Sequence, residues 1–179
     1  MKKWIIVEDR PWVMTGFISE MERKADGEAG SGTFVKPEIL YFVAGDTPAL
    51  RTATEKNYKE EVRRFEEATE IRVKKIDETD FHEKMEGYYA KDYVIFMDLN
   101  LTGNSAKYFN ERINVQYARE KQKQKGEGER QIWFYTTGAS LDADFLSSEF
   151  PNNVIEVISF VDGKAQLDME KSWRVLGGM

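Results

Sequence analysis

The chain has 179 residues, room for one domain with a full core, since single domains run ~100–200 residues. Its 26 Lys+Arg against 32 Asp+Glu leave a formal charge of −6, which argues against the broad basic footprint of a duplex-binding protein. Hydrophobic content of 41% argues against global disorder, and the absence of Cys removes disulfides, thiolate catalysis and Cys-type zinc sites, leaving His82 as the sole imidazole.

The N-terminus has a basic start but only four apolar residues before Glu8–Asp9, too few for a signal-peptide core or a membrane span, so a cytoplasmic protein is expected. Residues 3–7 read as a buried strand, and Pro11 opens a helix on which Val13, Phe17, Ile18 and Met21 recur at helical spacing. Residues 26–33 hold three glycines and no large apolar residue, the composition of a surface loop. Ile39–Val43 is a second buried strand. From Leu50 to Glu70, Tyr58, Val62 and Phe65 mark one apolar stripe on a charged helix. Ile71, Val73 and Ile76 alternate with basic residues as in a half-exposed strand, and Asp80 with Glu83 suggests a capping box for a helix through Tyr89.

Tyr93–Met97 is the most apolar strand candidate, and it ends at Asp98. Beyond Gly103, Asn104 or Ser105 can cap a helix carrying Phe109, Ile113 and Tyr117, with a polar tail over residues 121–130. Ile132–Tyr135 is another buried strand, ending at Thr136-Thr137-Gly138. A short helix over Asp142–Ser148 leads to Pro151, and Val154–Phe160 supplies the last strand. Residues 165–179 leave room for a short closing helix. Strands alternating with helices predict one α/β domain built on a mostly parallel sheet of five to six strands.

Ligands of such sheets bind outside the carboxyl ends of the strands. Those ends deliver Glu8 and Asp9, then Asp98, then Thr136–Thr137, then Ser159–Phe160. Three carboxylates on one edge repel one another unless a cation neutralises them, and hard oxygen ligands suit Mg²⁺. Such a site can hold a phosphoryl group, with Asp98 as covalent acceptor. Simpler roles exist for several of these groups. Glu8 and Asp9 also suit the start of the helix near Pro11, and Asp142 and Asp144 read as first-turn helix acids. His82 reads as solvated, and Trp133 and Phe134 as core.

At this point the chain resembles the receiver domains of two-component response regulators. Ile5-Ile6-Val7-Glu8-Asp9-Arg10-Pro11 is similar to that family's first strand and acidic pair. Val94-Ile95-Phe96-Met97-Asp98-Leu99-Asn100-Leu101-Thr102-Gly103 is similar to its phosphoacceptor strand and loop, with Thr102 where a proline is usual. The resemblance implies a flavodoxin-like three-layer sandwich. It also implies that Glu8, Asp9 and Asp98 hold Mg²⁺ together with the main-chain carbonyl of Asn100, and that Asp98 accepts the phosphoryl group. Thr137, followed by Gly138, takes the place of the family's switch hydroxyl, with Thr136 as the competing choice. The family's last strand ends in Lys-Pro, whereas this one ends Ile158-Ser159-Phe160-Val161, so Lys164, beyond an Asp162-Gly163 turn, is the candidate that would reach back. Between the acidic pair and the acceptor the family has one strand, whereas this chain has two candidates, at 39–43 and 71–76, which implies an inserted α/β element within residues 26–80.

The leading expectation is therefore a receiver-like signalling domain. It would take its phosphoryl group from a histidine kinase, a phosphotransfer protein or a small phosphodonor, and signal through a surface for a downstream protein partner. No direct contact with nucleic acid or membrane is expected, and homodimer formation stays open. Two other classes compete. One is a phosphate-independent adaptor of the same fold. The other is a phosphatase, because Asp98-Leu99-Asn100-Leu101-Thr102 is also similar to the nucleophile motif of haloacid-dehalogenase-type enzymes, although that motif has Asp where Asn100 stands.

Overall fold

A computed structural model describes residues 1–27, 33–101, 108–125, 131–136 and 140–178. The apolar runs form five parallel strands: β1 (Trp4–Glu8), β2 (Glu38–Phe42), β3 (Val73–Ile76), β4 (Val94–Asp98) and β5 (Ile132–Tyr135), in the order β3-β2-β1-β4-β5. β1, β4 and β5 are buried along their whole length, as strands covered on both faces must be. This is the α/β, flavodoxin-like sandwich expected from the sequence.

Alternation along the strands splits the core in two. Trp4, Ile6, Phe96 and Tyr135 face one side, where they join Phe17, Ile18 and Met21 of α1 (Thr15–Gly27) and Trp173. Ile5, Val7, Ile95, Met97 and Phe134 face the other, against α3 (Phe81–Tyr89) and a further pair of helices. That pair is α4 (Ile113–Lys125), through Val115 and Ala118, and α5 (Ser140–Glu149), through Leu146. The chain closes on the first face with α6 (Met169–Val175).

Between the acidic pair and β4 the chain forms two strands, β2 and β3, joined by α2 (Pro48–Thr69), and β3 forms the sheet edge. Thr47 caps α2 by accepting a hydrogen bond from the Leu50 amide at 3.2 Å, and Pro48 occupies the first turn, where no amide is needed. Ile71, two residues ahead of β3, and Val73 join one core face and Ile76 the other, while Lys74 and Lys75 stay exposed.

Three local expectations change. The helix after β1 begins as a 3₁₀ turn, Pro11–Met14, before α1 starts at Thr15. Asp80 does not close a capping box: its side chain accepts from the Asp77 amide at 2.8 Å and makes no cap bond. Phe109 lies in a separate 3₁₀ turn, Phe109–Glu111, ahead of α4. The caps Asn104 and Ser105, the Gly103 turn, most of the Gly-rich loop and the end of the polar tail lie outside the described residues.

The largest departure is the last strand. Only Val154 pairs with the sheet, opposite Phe134, where the Phe134 amide donates to Asn153 and the Ile155 amide donates to Phe134, both at 2.8 Å. β6 (Val157–Val161) then turns away and pairs antiparallel with β7 (Lys164–Leu167). Asp162 and Gly163, at φ 50° and 72°, supply the two left-handed residues of a tight hairpin turn, so nearby antiparallel pairing replaces a sixth parallel position. The hairpin seats Ala165 and Leu167 on the α1 face, and Gly16 admits it: a Cβ there would stand 3.1 Å from Gln166 Nε2.

Candidate metal centre

β1 leads leftward to β2 and β3, and the chain then returns to place β4 on the other side of β1. The β1/β4 boundary is thus the point where the sheet order reverses, and ligands of open parallel sheets bind at the strand carboxyl ends of such a point. Val7 is in register with Met97, and Asp98 with Tyr135, so Glu8, Asp98 and Tyr135 follow one another across three neighbouring strands. All three are fully buried or nearly so.

Asp9, half-buried, completes the group. Glu8, Asp9 and Asp98 each offer a carboxylate oxygen, and these oxygens lie within 4.8 Å of one another. Glu8 is the best satisfied: its Oε2 accepts from Tyr135 Oη at 2.7 Å and its Oε1 from the Arg10 amide at 3.1 Å. Arg10 Nε stands 3.7 Å from Asp9 Oδ1. Both oxygens of Asp98 are buried with no well-formed hydrogen bond, and Asp9 Oδ1 shares that condition.

The electrostatics follow from this arrangement. Burial pushes the Asp98 carboxyl up to about 7, and the charge of Asp9 adds to the shift, while the backbone amides of Asn100 and Leu99 and the Arg10 guanidinium oppose it. Burial, then the charges of Asp98 and Asp9, hold the Glu8 carboxyl well above its ordinary range. Burial raises Asp9 too. The Tyr135 hydroxyl is driven far up by burial and by the neighbouring carboxylates, so it stays protonated and remains a donor to Glu8. Unpartnered buried carboxylate oxygens are costly, and a small hard cation is the partner that satisfies several at once. The residues present fit such an ion.

The loop after Asp98 is held from several directions. Asn114 Nδ2 donates to the main-chain oxygens of Asp98, at 2.8 Å, and Leu99, at 3.1 Å. Asn100 Nδ2 donates to Thr136 Oγ1 at 3.1 Å and Asp142 Oδ2 at 3.0 Å, and its Oδ1 accepts from Arg112 Nη1 at 2.6 Å. The same Nη1 reaches the Leu99 carbonyl at 3.2 Å. With its side chain so occupied, Asn100 has only its main-chain carbonyl left to offer a metal.

The structure therefore brings Glu8, Asp9, Asp98 and the Asn100 loop together. Thr137 lies outside the described residues, while Thr136 meets Asn100. Lys164 is exposed on β7, its stem running beside Gly16. The reading of Glu8 and Asp9 as helix-start acids gives way, because Arg10 precedes the 3₁₀ turn and no side chain caps it. Asp142 is a first-turn acid of α5, as expected, and additionally anchors Asn100. His82 is largely exposed, 3.5 Å from Glu120, and Trp133 and Phe134 are core. Sequence reasoning missed Tyr135, Asn114 and Arg112. The strand register could have flagged Tyr135, since it shares the parity of Asp98 on the neighbouring strand; nothing local marks the other two.

No family model, no curated protein and no solved structure matches the chain. Among the described residues no helix is long and apolar enough to cross a membrane.

Proposed function

We propose that the chain is a receiver-like signalling domain in which Asp98 accepts a phosphoryl group with Mg²⁺ assistance. One observation carries this reading: at the reversal point of the sheet, Glu8 and Asp9 converge on Asp98, whose two oxygens are buried without a well-formed hydrogen bond among the described residues. Glu8, Asp9, Asp98 and the Asn100 carbonyl would hold the ion. The ion supplies charge neutralisation for the carboxylates and for the incoming phosphoryl oxygens.

The chain's own residues do the rest. Tyr135 fixes Glu8, and Asn114 and Arg112 fix the loop bearing Asp98, so the acceptor oxygen is pre-positioned. The ionised Asp98 oxygen attacks phosphorus of a phosphohistidine or an acyl phosphate. The P–N or P–O bond breaks, and its electron pair leaves with the imidazole or the carboxylate. The phosphorylated pocket then changes the surface offered to a downstream protein, with a hydroxyl at Thr136 or Thr137 answering the new charge. The donor is a histidine kinase or a phosphotransfer protein.

A second reading, a phosphate-independent adaptor, draws support from the departure of β6 from the sheet, which leaves no lysine at the end of a sixth strand. Acetyl phosphate with Mg²⁺ separates the readings. Intact mass is expected to show one phosphoryl adduct on the wild type and none on Asp98→Ala. Absence of both Mg²⁺ binding and adduct favours the adaptor, and steady turnover of a phosphate ester favours the haloacid-dehalogenase-type phosphatase.

A further inference from the structure

The missing strand-end lysine leaves a chemical gap. A phosphoryl group on Asp98 carries oxygens beyond those a single cation can satisfy, and a fixed protein cation facing the group supplies charge-assisted hydrogen bonds. Lys164 is poorly placed, being exposed on the hairpin beside Gly16. Arg112 is in a different position. It stands just before α4 and reaches the acceptor loop itself, donating from Nη1 to the Leu99 carbonyl and to Asn100 Oδ1.

Three further observations bear on Arg112. Its guanidinium lies over the Phe109 ring at 4.5 Å, and Phe109 is itself stacked at 4.5 Å on Phe145 of α5, so the plane of the fork is held by packing. Among the described residues, both of its hydrogen bonds use Nη1 and Nε is buried without an acceptor. No carboxylate among the described residues comes within ion-pairing distance of it, although the charges of Asp142 and Asp98 both act on it. A buried donor with no partner is unusual in a folded protein and marks a place where an acceptor is expected. The unused Nε–Nη2 edge has the geometry that takes two oxygens of a tetrahedral anion.

We infer that Arg112 is the phosphoryl-binding cation of this site, taking the role left open by the absent strand-end lysine and receiving the oxygens of a phosphoryl group on Asp98 through its free edge. The inference rests on the receiver-like reading. It assigns anion recognition to the segment between the acceptor loop and α4, not to the last strand. Departure of β6 and β7 from the sheet is then compatible with a working phosphoacceptor.

The test uses the full chain, Mg²⁺ alone, and beryllofluoride with Mg²⁺, with binding followed by fluorine NMR and melting temperature recorded for each variant. Arg112→Gln retains a donor toward the Leu99 and Asn100 oxygens but loses the charge and the fork. It is expected to bind Mg²⁺ within about twofold of wild type while losing about tenfold or more in beryllofluoride affinity. Arg112→Lys is expected to recover part of that loss, and Lys164→Ala to match the wild type. Unchanged beryllofluoride affinity in Arg112→Gln overturns the inference, as does a parallel fall in Mg²⁺ affinity, which would make Arg112 a loop support only. A loss confined to Lys164→Ala overturns it in favour of the hairpin lysine. If the wild type binds Mg²⁺ but no beryllofluoride, or neither, the receiver-like reading itself falls and Arg112 falls with it.

Discussion

At the outer edge of the sheet, where β3 runs beside α2, acids and bases come in pairs: Glu55 with Lys75, Glu38 with Lys74, and Asp77 with Arg51 at 3.4 Å. At the β1/β4 boundary of the same sheet, Glu8, Asp9 and Asp98 crowd together, and among the described residues the ion pair of the group is that of Arg10 with Asp9, at 3.7 Å. The paired region is wet, and exposed ion pairs contribute little to stability and carry little information. The unpaired region is dry, so each charge there bears a desolvation cost that packing alone does not repay. A buried lysine elsewhere makes the same point. Lys121 is almost fully buried, yet it pairs with Glu86 and lies against the rings of Tyr89 and Tyr117. Uncompensated burial, not acidity, separates the candidate site from the rest of the molecule.

The contrast is broken most directly at Asp98. Asp98→Asn is expected to abolish beryllofluoride binding and, at pH 8 without metal, to raise the melting temperature by several degrees because a buried repulsive charge is removed. A lower melting temperature would mean that Asp98 is already compensated in the metal-free protein.

pH provides the next largest effect. A carboxylate with a native pKa above its unfolded value holds its proton more tightly when folded. The stability it contributes is complete below the unfolded value and is lost as pH rises through the native one. For Asp98, raised from 3.8 to about 7, the metal-free protein should lose stability across roughly pH 4 to 7, with Glu8 acting in the same direction. Mg²⁺ should flatten that slope. Urea midpoints at several pH values, with and without the ion, read both.

Smaller effects sharpen the comparison. Asn114 is fully buried and donates to two carbonyls of the acceptor loop, so Asn114→Ala should cost about 1–3 kcal/mol by urea denaturation and weaken Mg²⁺ binding. Tyr135→Phe removes one donor from the buried Glu8 carboxyl and should cost about 1 kcal/mol by urea denaturation. In the paired region, Lys75→Ala should shift the midpoint by less than about 1 kcal/mol and leave metal binding unchanged.

Much of the fold was legible because its signals are local. Ile5-Ile6-Val7 and Ile95-Phe96-Met97 can only be strands buried on both faces, and Phe17, Ile18 and Met21 repeat at helical spacing toward one of those faces. The fate of Val154–Phe160 was not legible, because a run of strand-formers does not state its partner. Asp162-Gly163 offered a nearby hairpin, and a short loop closes at less entropic cost than a distant sheet position. Phe109 misled for a related reason: its spacing to Ile113 fits a helix, and only the 3₁₀ turn ending at Glu111 separates them.

For the site, the sequence by itself placed Glu8, Asp9 and Asp98 at strand ends, because a carboxylate that ends an apolar run marks where the strand meets solvent or a ligand. The tertiary structure decided how those ends combine. Strand order puts β1 beside β4, and register aligns Glu8, Asp98 and Tyr135 in one row. The return of the chain at Arg112 and Asn114 carries their donors back to Leu99 and Asp98, across separations no local pattern records. Acidity is a property of residues and is written in the sequence. Desolvation and the absence of a partner belong to the assembled interior, and they make this cluster a candidate site.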